Sequence, residues 1–460
     1  MRKLFLFLLL FISVFSFSQN KEILYNFTTI PQTLLTNPGA DISYKMYMGI
    51  PLLSGINFNI GSNSLSAYDV YGNTGVPLEQ KLKNIARKMT TNDRVSLNEQ
   101  IDILNAGFKI GEENSISYVS FGVYQEFDFL TYLPKDLSNS AVGNTPIEQI
   151  NLTDVNARAE MLTVFHLGLH KKINKKLVVG IRAKAYSSIF NFNSTHNSGG
   201  ASVTINAGTS FSYIENSPSL IVNTSGITKY RTGFTKDLAG DIKNKAFLGE
   251  NTGLGFDAGF TYYPQENKQF TASIIDVGYV KHYKEVQNYV VKEGTFASTY
   301  PIIQDFLDDV DEVINPVPSA KNTSAYTTWR PMKVYSSYQY SFDEDRLDLE
   351  CKCLNLDQEP IYKNALGVQL FAMTTPKLPT IALTGYYKRR LTRALQMKAT
   401  YTLDTFSYTN IGLGLSSTFG KVNFYVLADN LLAYTDLAKA NSLSLQFGLN
   451  VIFVNKYNSN

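Results

Sequence analysis

The stretch SLSLQFGLNVIF, residues 442–453, places Leu443, Leu445, Phe447, Leu449, Val451 and Phe453 on one side of an extended chain. Ser444, Gln446, Gly448 and Asn450, with Ile452, fall on the other. Period-two alternation of this kind marks a strand lying between two different environments. The pattern recurs. In VSFGVYQEFDF, Val119, Phe121, Val123, Phe127 and Phe129 oppose Ser120, Gly122, Tyr124, Glu126 and Asp128; in IGLGLSSTF, Ile411, Leu413, Leu415 and Phe419 oppose Gly412, Gly414, Ser416 and Thr418. TGLGFDAGFTYY repeats it with Leu254, Phe256, Ala258, Phe260 and Tyr262 against glycines, Asp257, Thr261 and Tyr263.

A soluble β-sandwich also alternates, with its apolar face on a protein core. These runs are longer than the ~5–6 residues of ordinary strands. Their polar faces are rich in Gly, Ser, Thr, Asn and Tyr, which suits a crowded, wet interior. Aromatic residues gather toward the strand ends, where the interfacial girdles of a membrane barrel lie. The reading is all-β: a single antiparallel transmembrane barrel of about fourteen strands, at 42–50, 55–62, 116–130, 160–171, 177–190, 252–264, 269–283, 332–342, 364–374, 380–389, 395–403, 411–419, 422–429 and 442–454. The connections follow the parity such a barrel requires, with short periplasmic turns such as KKINKK, PQENKQ, KRRLTRA and FGK, and long extracellular loops over 131–159, 191–251 and 284–331. Two insertions on the short-turn side break that parity, Asn63 to Ser115 and Asp343 to Lys363.

The first residues point to export. Arg2 and Lys3 precede an apolar run from Leu4 to Phe15, and Ser16-Phe17-Ser18 supplies a small-residue cleavage site. The run is shorter than the ~20 residues of a membrane-spanning helix. Residues 1–18 read as a signal peptide and 19–460 as one barrel domain beginning at Gln19, in the outer membrane of a Gram-negative bacterium. Acidic and basic residues nearly balance, so nucleic acid is not an expected partner. The chain is instead aromatic-rich and charge-poor, with 29 Tyr, 29 Phe and only 18% charged residues, and that composition fits a lipid-facing wall. Cys351 and Cys353, one residue apart, are too few for a structural zinc site.

Shorter features add detail. PLEQKLKNIARKM spaces Leu78, Leu82, Ile85 and Met89 as an amphipathic helix, and YPIIQDFLDDVDEVINP reads as a second with an acidic solvated face. Residues 201–230 alternate, either as an outer hairpin that extends the sheet or as two more spanning strands. In FTASIIDVGYV the apolar phase slips at Ile274-Ile275, which a β-bulge would restore.

The inward phase of consecutive strands carries charge: Glu126 and Asp128, then His166 and His170, then Arg182 and Lys184, then Asp257. These seven are the lumen-facing candidates, either bracing the wall as ion pairs or touching a substrate. His166 and His170 are four apart on a strand, ~13 Å, and cannot share a metal. No nucleophile motif appears, so no catalytic, metal or cofactor residue is assigned and no enzyme is expected.

TNPG at 36–39, GLGFDAGFTYYP, SIIDVGYV, NFYVLADNLL and LSLQFGLNVIF resemble a Bacteroidota outer-membrane barrel family of unknown function. That family is more distantly similar to long-chain fatty-acid transporter barrels and to the type IX secretion shuttle barrel. The resemblance implies one of two functions. The first is a channel or binder for a hydrophobic or small ligand, with a partly plugged lumen or a lateral gap; its mark would be Gln19 to Asp41 folded into the lumen beside an apolar pocket. The second is a non-transporting subunit of an outer-membrane secretion or barrel-assembly complex. Its partners would be other outer-membrane or periplasmic proteins besides the lipid itself, bound through the long loops or the insertion at Asn63 to Ser115.

Overall fold

In hydrocarbon every backbone N–H and C=O needs a protein partner, and among sheets only a closed one leaves no edge. The computed structural model has such a sheet. It describes residues 21–460 apart from 64–65, 112–116, 133–147, 196, 207–208, 227–237, 292–293, 299–318, 345–361, 405–409 and 454–460. The signal peptide expected over 1–18, the acidic helix expected over 300–316, and Cys351 and Cys353 lie outside the described residues.

Fourteen strands close the cylinder, each antiparallel to its neighbours. The first, β1, comes in two pieces, Met46–Gly49 and Ile56–Ser62. Then follow β2 (Arg94–Ile110), β3 (Ser117–Tyr132), β4 (Ala157–Asn174), β5 (Leu177–Ser194), β6 (Asn251–Gln265) and β7 (Lys268–His282). The rest are β8 (Lys333–Glu344), β9 (Tyr362–Met373), β10 (Thr380–Arg390), β11 (Leu395–Asp404), β12 (Asn410–Phe419), β13 (Val422–Asp429) and β14 (Ser442–Phe453). The seam closes where β14 meets β1, from Met46 opposite Phe453 to Gly61 opposite Ser442.

Burial runs opposite to that of a soluble sheet. On β9, Gln369 is 0% exposed while Leu366, Val368 and Leu370 are 51%, 54% and 48% exposed. On β14, Ser444, Gln446 and Asn450 are buried, whereas Leu445, Phe447 and Leu449 lie on the outer, partly exposed face. Polar groups inside and aliphatic groups outside is the arrangement that lipid selects. Among the described residues no helix is long and apolar enough to cross a membrane.

The strand count of fourteen holds, but two assignments behind it change. Residues 42–50 and 55–62 are not two strands: both pieces of β1 pair with the same neighbours, β14 and β2, and Ile50–Gly55 merely interrupts one strand. The segment Asn63 to Ser115 is not a periplasmic insertion. Its second half is β2, and its first half, with helices α1 (Ala67–Tyr71) and α2 (Leu78–Lys88), lies on the long-connection side. The corrected parity leaves one long stretch on the short-turn side, 345–361.

Three expectations hold. The helix over PLEQKLKNIARKM forms as α2, with Ile85 and Met89 buried. Residues 201–230 extend the sheet and do not span: the strand Thr209–Ser225 pairs with the end of β5 and with Val286–Val291. The bulge also forms. Between Ala258 opposite Ile274 and Phe256 opposite Val277, Asp257 faces two residues, and the second, Asp276, takes φ 63°. Aspartate tolerates this left-handed backbone because its short side chain competes for local hydrogen bonds. Here the Asp276 N–H donates to Asp257 Oδ1 at 2.7 Å.

Candidate functional site

The lumen is occupied by the chain's own N-terminal segment. Residues 22–40 are almost all buried and fold as a run of tight turns, with a 3-10 helix at Pro31–Leu35. Tight turns leave many carbonyls unpaired, and buried carbonyls need donors. The inward side chains of the wall supply them. Lys398 Nζ donates to the Tyr25 carbonyl at 2.7 Å and the Glu22 carbonyl at 3.3 Å, and Lys388 Nζ to that of Asn26 at 2.9 Å. Ser273 donates to the Thr36 carbonyl and Thr261 to that of Gly39, at 2.7 and 2.8 Å, while Arg182 reaches the carbonyls of Leu34 and Leu35. Gln32 exchanges amide hydrogen bonds with Asn450, and Lys21 donates to Gln100.

Apolar groups complete the fit. Ile23, Leu24, Phe27 and Ile30 pack on Tyr425 and Leu427, and Tyr25 stacks on Tyr335 with ring centroids 4.8 Å apart. The TNPG turn sits hard against the wall. A Cβ at Gly180 would lie 2.1 Å from the Pro38 carbonyl oxygen, and one at Gly259 2.1 Å from Asn37 Oδ1. Only glycine permits backbone to approach so closely.

Above this plug the wall is bridged by charge. Arg182, Asp257, Lys184, Asp276, Lys333, Glu126, Arg330 and Glu160 form one chain of eight alternating charges, with successive N···O separations of 3.0, 2.9, 2.5, 3.1, 3.6, 2.6 and 2.5 Å. Lys333 on β8 and Glu126 on β3 are far apart around the sheet, so their contact and those of Arg330 cross the lumen. Removing one member of such a chain strands its neighbours in a medium that cannot solvate them.

Each lumen-facing candidate can now be placed. Glu126, Arg182, Lys184 and Asp257 join the chain of charges. Asp128 stands beside it, paired with Arg158 at 2.6 Å. His166 and His170 point inward but remain outside it, packed on Tyr124 and Tyr118 with ring centroids 5.9 and 5.5 Å apart. Sequence reasoning missed Glu160, Asp276, Arg330 and Lys333, and had the plug only as the mark of the transport reading, Gln19 to Asp41 folded into the lumen. One signal was readable, since Asp276 directly follows the phase slip. Among the described residues no group of three His, Cys, Asp or Glu is placed to hold a metal.

Two plug residues have shifted acidities. Burial pushes the Glu22 carboxyl well above the usual range, and nearby Asp429 and Asp404 add to this against the hydrogen bond donated by Thr384 at 2.9 Å. Burial pulls the Lys21 ammonium down to about 8, with Lys333 adding to the fall.

A closed cylinder with an aliphatic exterior, a polar interior and an internal plug defines an outer-membrane-type β-barrel. A family model described as a family of unknown function, DUF5723, matches residues 38–429, and the chain belongs to that family. No curated protein matches the sequence. Similar solved structures include the toluene transporter TodX of Pseudomonas putida, at 7% identity and TM-score 0.38, covering 95% of this chain and 93% of that one. The toluene transporter TbuX of Ralstonia pickettii gives 8%, 0.43, 92% and 94%, and a FadL homologue of Pseudomonas aeruginosa gives 11%, 0.41, 92% and 94%.

Proposed function

We propose that the protein is an outer-membrane channel or binder for a hydrophobic or small ligand, which passes between lipid and lumen at the break in β1. The observation that carries this reading is the interruption itself. Pro51, Leu52 and Leu53 are exposed, with Leu52 and Leu53 at 56% and 45% on the outer surface, while Ser54 is fully buried and its carbonyl accepts a hydrogen bond from Tyr425 at 3.0 Å. Lipid-side and lumen-side groups therefore lie within one four-residue turn. The plug bars the axial route, and a hydrophobic ligand already concentrated in the membrane has no need of it.

Deleting residues 51–54 tests this, because Ile50 and Gly55 then face Leu449 and Gly448 and β1 becomes continuous. Vesicles carrying the wild-type barrel are expected to move a fluorescent fatty acid, and those carrying the folded deletion variant to match protein-free vesicles. Equal transport by the two barrels would sink the proposal.

The second reading, a non-transporting partner subunit, draws support from the lumen-crossing ion pairs. It no longer has the segment Asn63 to Ser115 as a periplasmic insertion to bind through, which moves its contact surface to the long connections, among them the sheet extension around Thr209–Ser225. Stable copurification with other outer-membrane proteins, lost on trimming that extension, would favour it over transport.

A further inference from the structure

The outer wall of β8–β12 carries an apolar groove of about 690 Å³. Its size falls in the ~300–1,000 Å³ range of small-molecule sites. The groove follows from one cross-strand row. Tyr338, Val368, Gly385, Tyr401 and Ile411 are successive partners on five strands, all on the outward phase. Gly385 is the gap in that row: a Cβ there would meet nothing within 4 Å, while Tyr338 and Tyr401 stand 48% exposed on either side. One row nearer the short turns, Leu366 and Tyr387 continue the walls and Ala399 the floor.

The next outward position on β10 is Arg389, about 13 Å from Gly385 along the strand. It is exposed, and among the described residues it makes no ion pair. Arg393, in the adjoining turn, is exposed as well. Lys388 points inward to the plug and takes no part. Asp343, at the same end of the wall, accepts a hydrogen bond from Asn364, whose own amide oxygen accepts from Tyr387 at 2.6 Å.

We infer that this groove is a binding site for one phospholipid of the periplasmic leaflet with an anionic headgroup. An acyl chain lies over Gly385 between the tyrosines, and the phosphate reaches Arg389. The argument is charge complementarity at one end of an apolar trough that already faces lipid. Basic residues clustered at a membrane surface favour acidic headgroups, and aromatic rings favour the same depth. The site is distinct from the break in β1 and does not depend on transport.

The test is native mass spectrometry of the delipidated barrel mixed with equal amounts of palmitoyl-oleoyl phosphatidylglycerol and phosphatidylcholine. Wild type is expected to retain one phosphatidylglycerol in preference. Gly385→Leu fills open space on an ordinary extended strand, so it folds, as heat-modifiable gel mobility would verify; it is expected to lose both lipids to background. Arg389→Ala is expected to lower phosphatidylglycerol occupancy roughly fivefold, the effect of about one surface cation, with phosphatidylcholine unchanged. The inference is overturned if Gly385→Leu holds as much phosphatidylglycerol as wild type, or if wild type takes both lipids equally. It is also overturned if the variant instead converts a dimer to a monomer at unchanged lipid occupancy, which would make the groove a contact between copies.

Discussion

The two halves of the wall treat the lumen differently. From β3 to β8 the inward face carries Glu126, Glu160, Arg182, Lys184, Asp257, Asp276 and Lys333, which satisfy one another and, through Arg330, reach across the cylinder. From β9 to β14 it carries mainly amides and hydroxyls, among them Gln369, Thr384, Thr402, Ser416, Asn423 and Asn450, all buried. Two lysines of that half, Lys388 and Lys398, donate to plug carbonyls. The first half thus holds the cylinder shut through its charges, while both halves seat the segment inside it, the first through Arg182, Thr261 and Ser273 and the second through Lys388, Lys398 and Asn450. Damage to the chain of charges is expected to loosen the barrel, and damage to the plug contacts to free the plug from an intact barrel.

The largest effect is expected from Arg330→Met, which strips Glu160 of its ion pair and Glu126 of its nearer one. Breaking a buried pair from one side costs about 3–5 kcal/mol, to be read as a lower urea midpoint for loss of heat-modifiable mobility in vesicles. Adding Glu126→Gln and Glu160→Gln to that variant is expected to recover most of the loss, since the stranded charges go with it. Persistence of the full loss would mean that Arg330 acts by shape alone.

Next comes Gly180→Val, which drives a side chain into the Pro38 carbonyl. Overpacking against backbone costs about 3 kcal/mol, and here it falls on plug docking. A spin label at Thr28 should become mobile while the urea midpoint stays near that of wild type; a fall in the midpoint without label mobility would erase the contrast between the chain of charges and the plug contacts. Lys398→Met removes the donor to two buried carbonyls, for a loss of about 2 kcal/mol in docking and an intermediate label mobility.

The smallest effect is that of pH. A carboxyl raised above its free value means that the docked plug holds the Glu22 proton more tightly than the released one. Docking through this group is therefore strongest below the ordinary carboxylate range and weakens as pH rises through the raised value. Lys21, lowered to about 8, acts in the opposite sense: its contribution is full above the ordinary lysine range and is lost as pH falls through about 8. Label mobility is thus expected to climb with pH above the carboxylate range in wild type. Glu22→Gln should remove that climb and leave only the lysine limb.

Most of the wall was legible in the sequence, because a strand between lipid and water shows its period in every side chain. What was illegible broke the period. β2 went unread because Glu99 occupies its apolar phase and the register against β3 shifts between Asp102 and Leu104. β1 was counted twice because Pro51-Leu52-Leu53 splits it. The two errors cancelled in the total. The plug has no period, and its partners lie on strands far away in sequence, so only the family resemblance, and not the residue pattern, placed Gln19 to Asp41 in the lumen. Of the chain of charges, the members on clean strands were visible. Arg330 lies between strands, and Lys333 meets Glu126 only through closure of the cylinder.

The clasp between Gln32 and Asn450 has a chronological consequence. The two residues are 418 positions apart, and Asn450 lies on the strand that closes the rim against β1. The seat of the early segment is complete only once that strand has paired, so docking of the segment waits on closure of the cylinder.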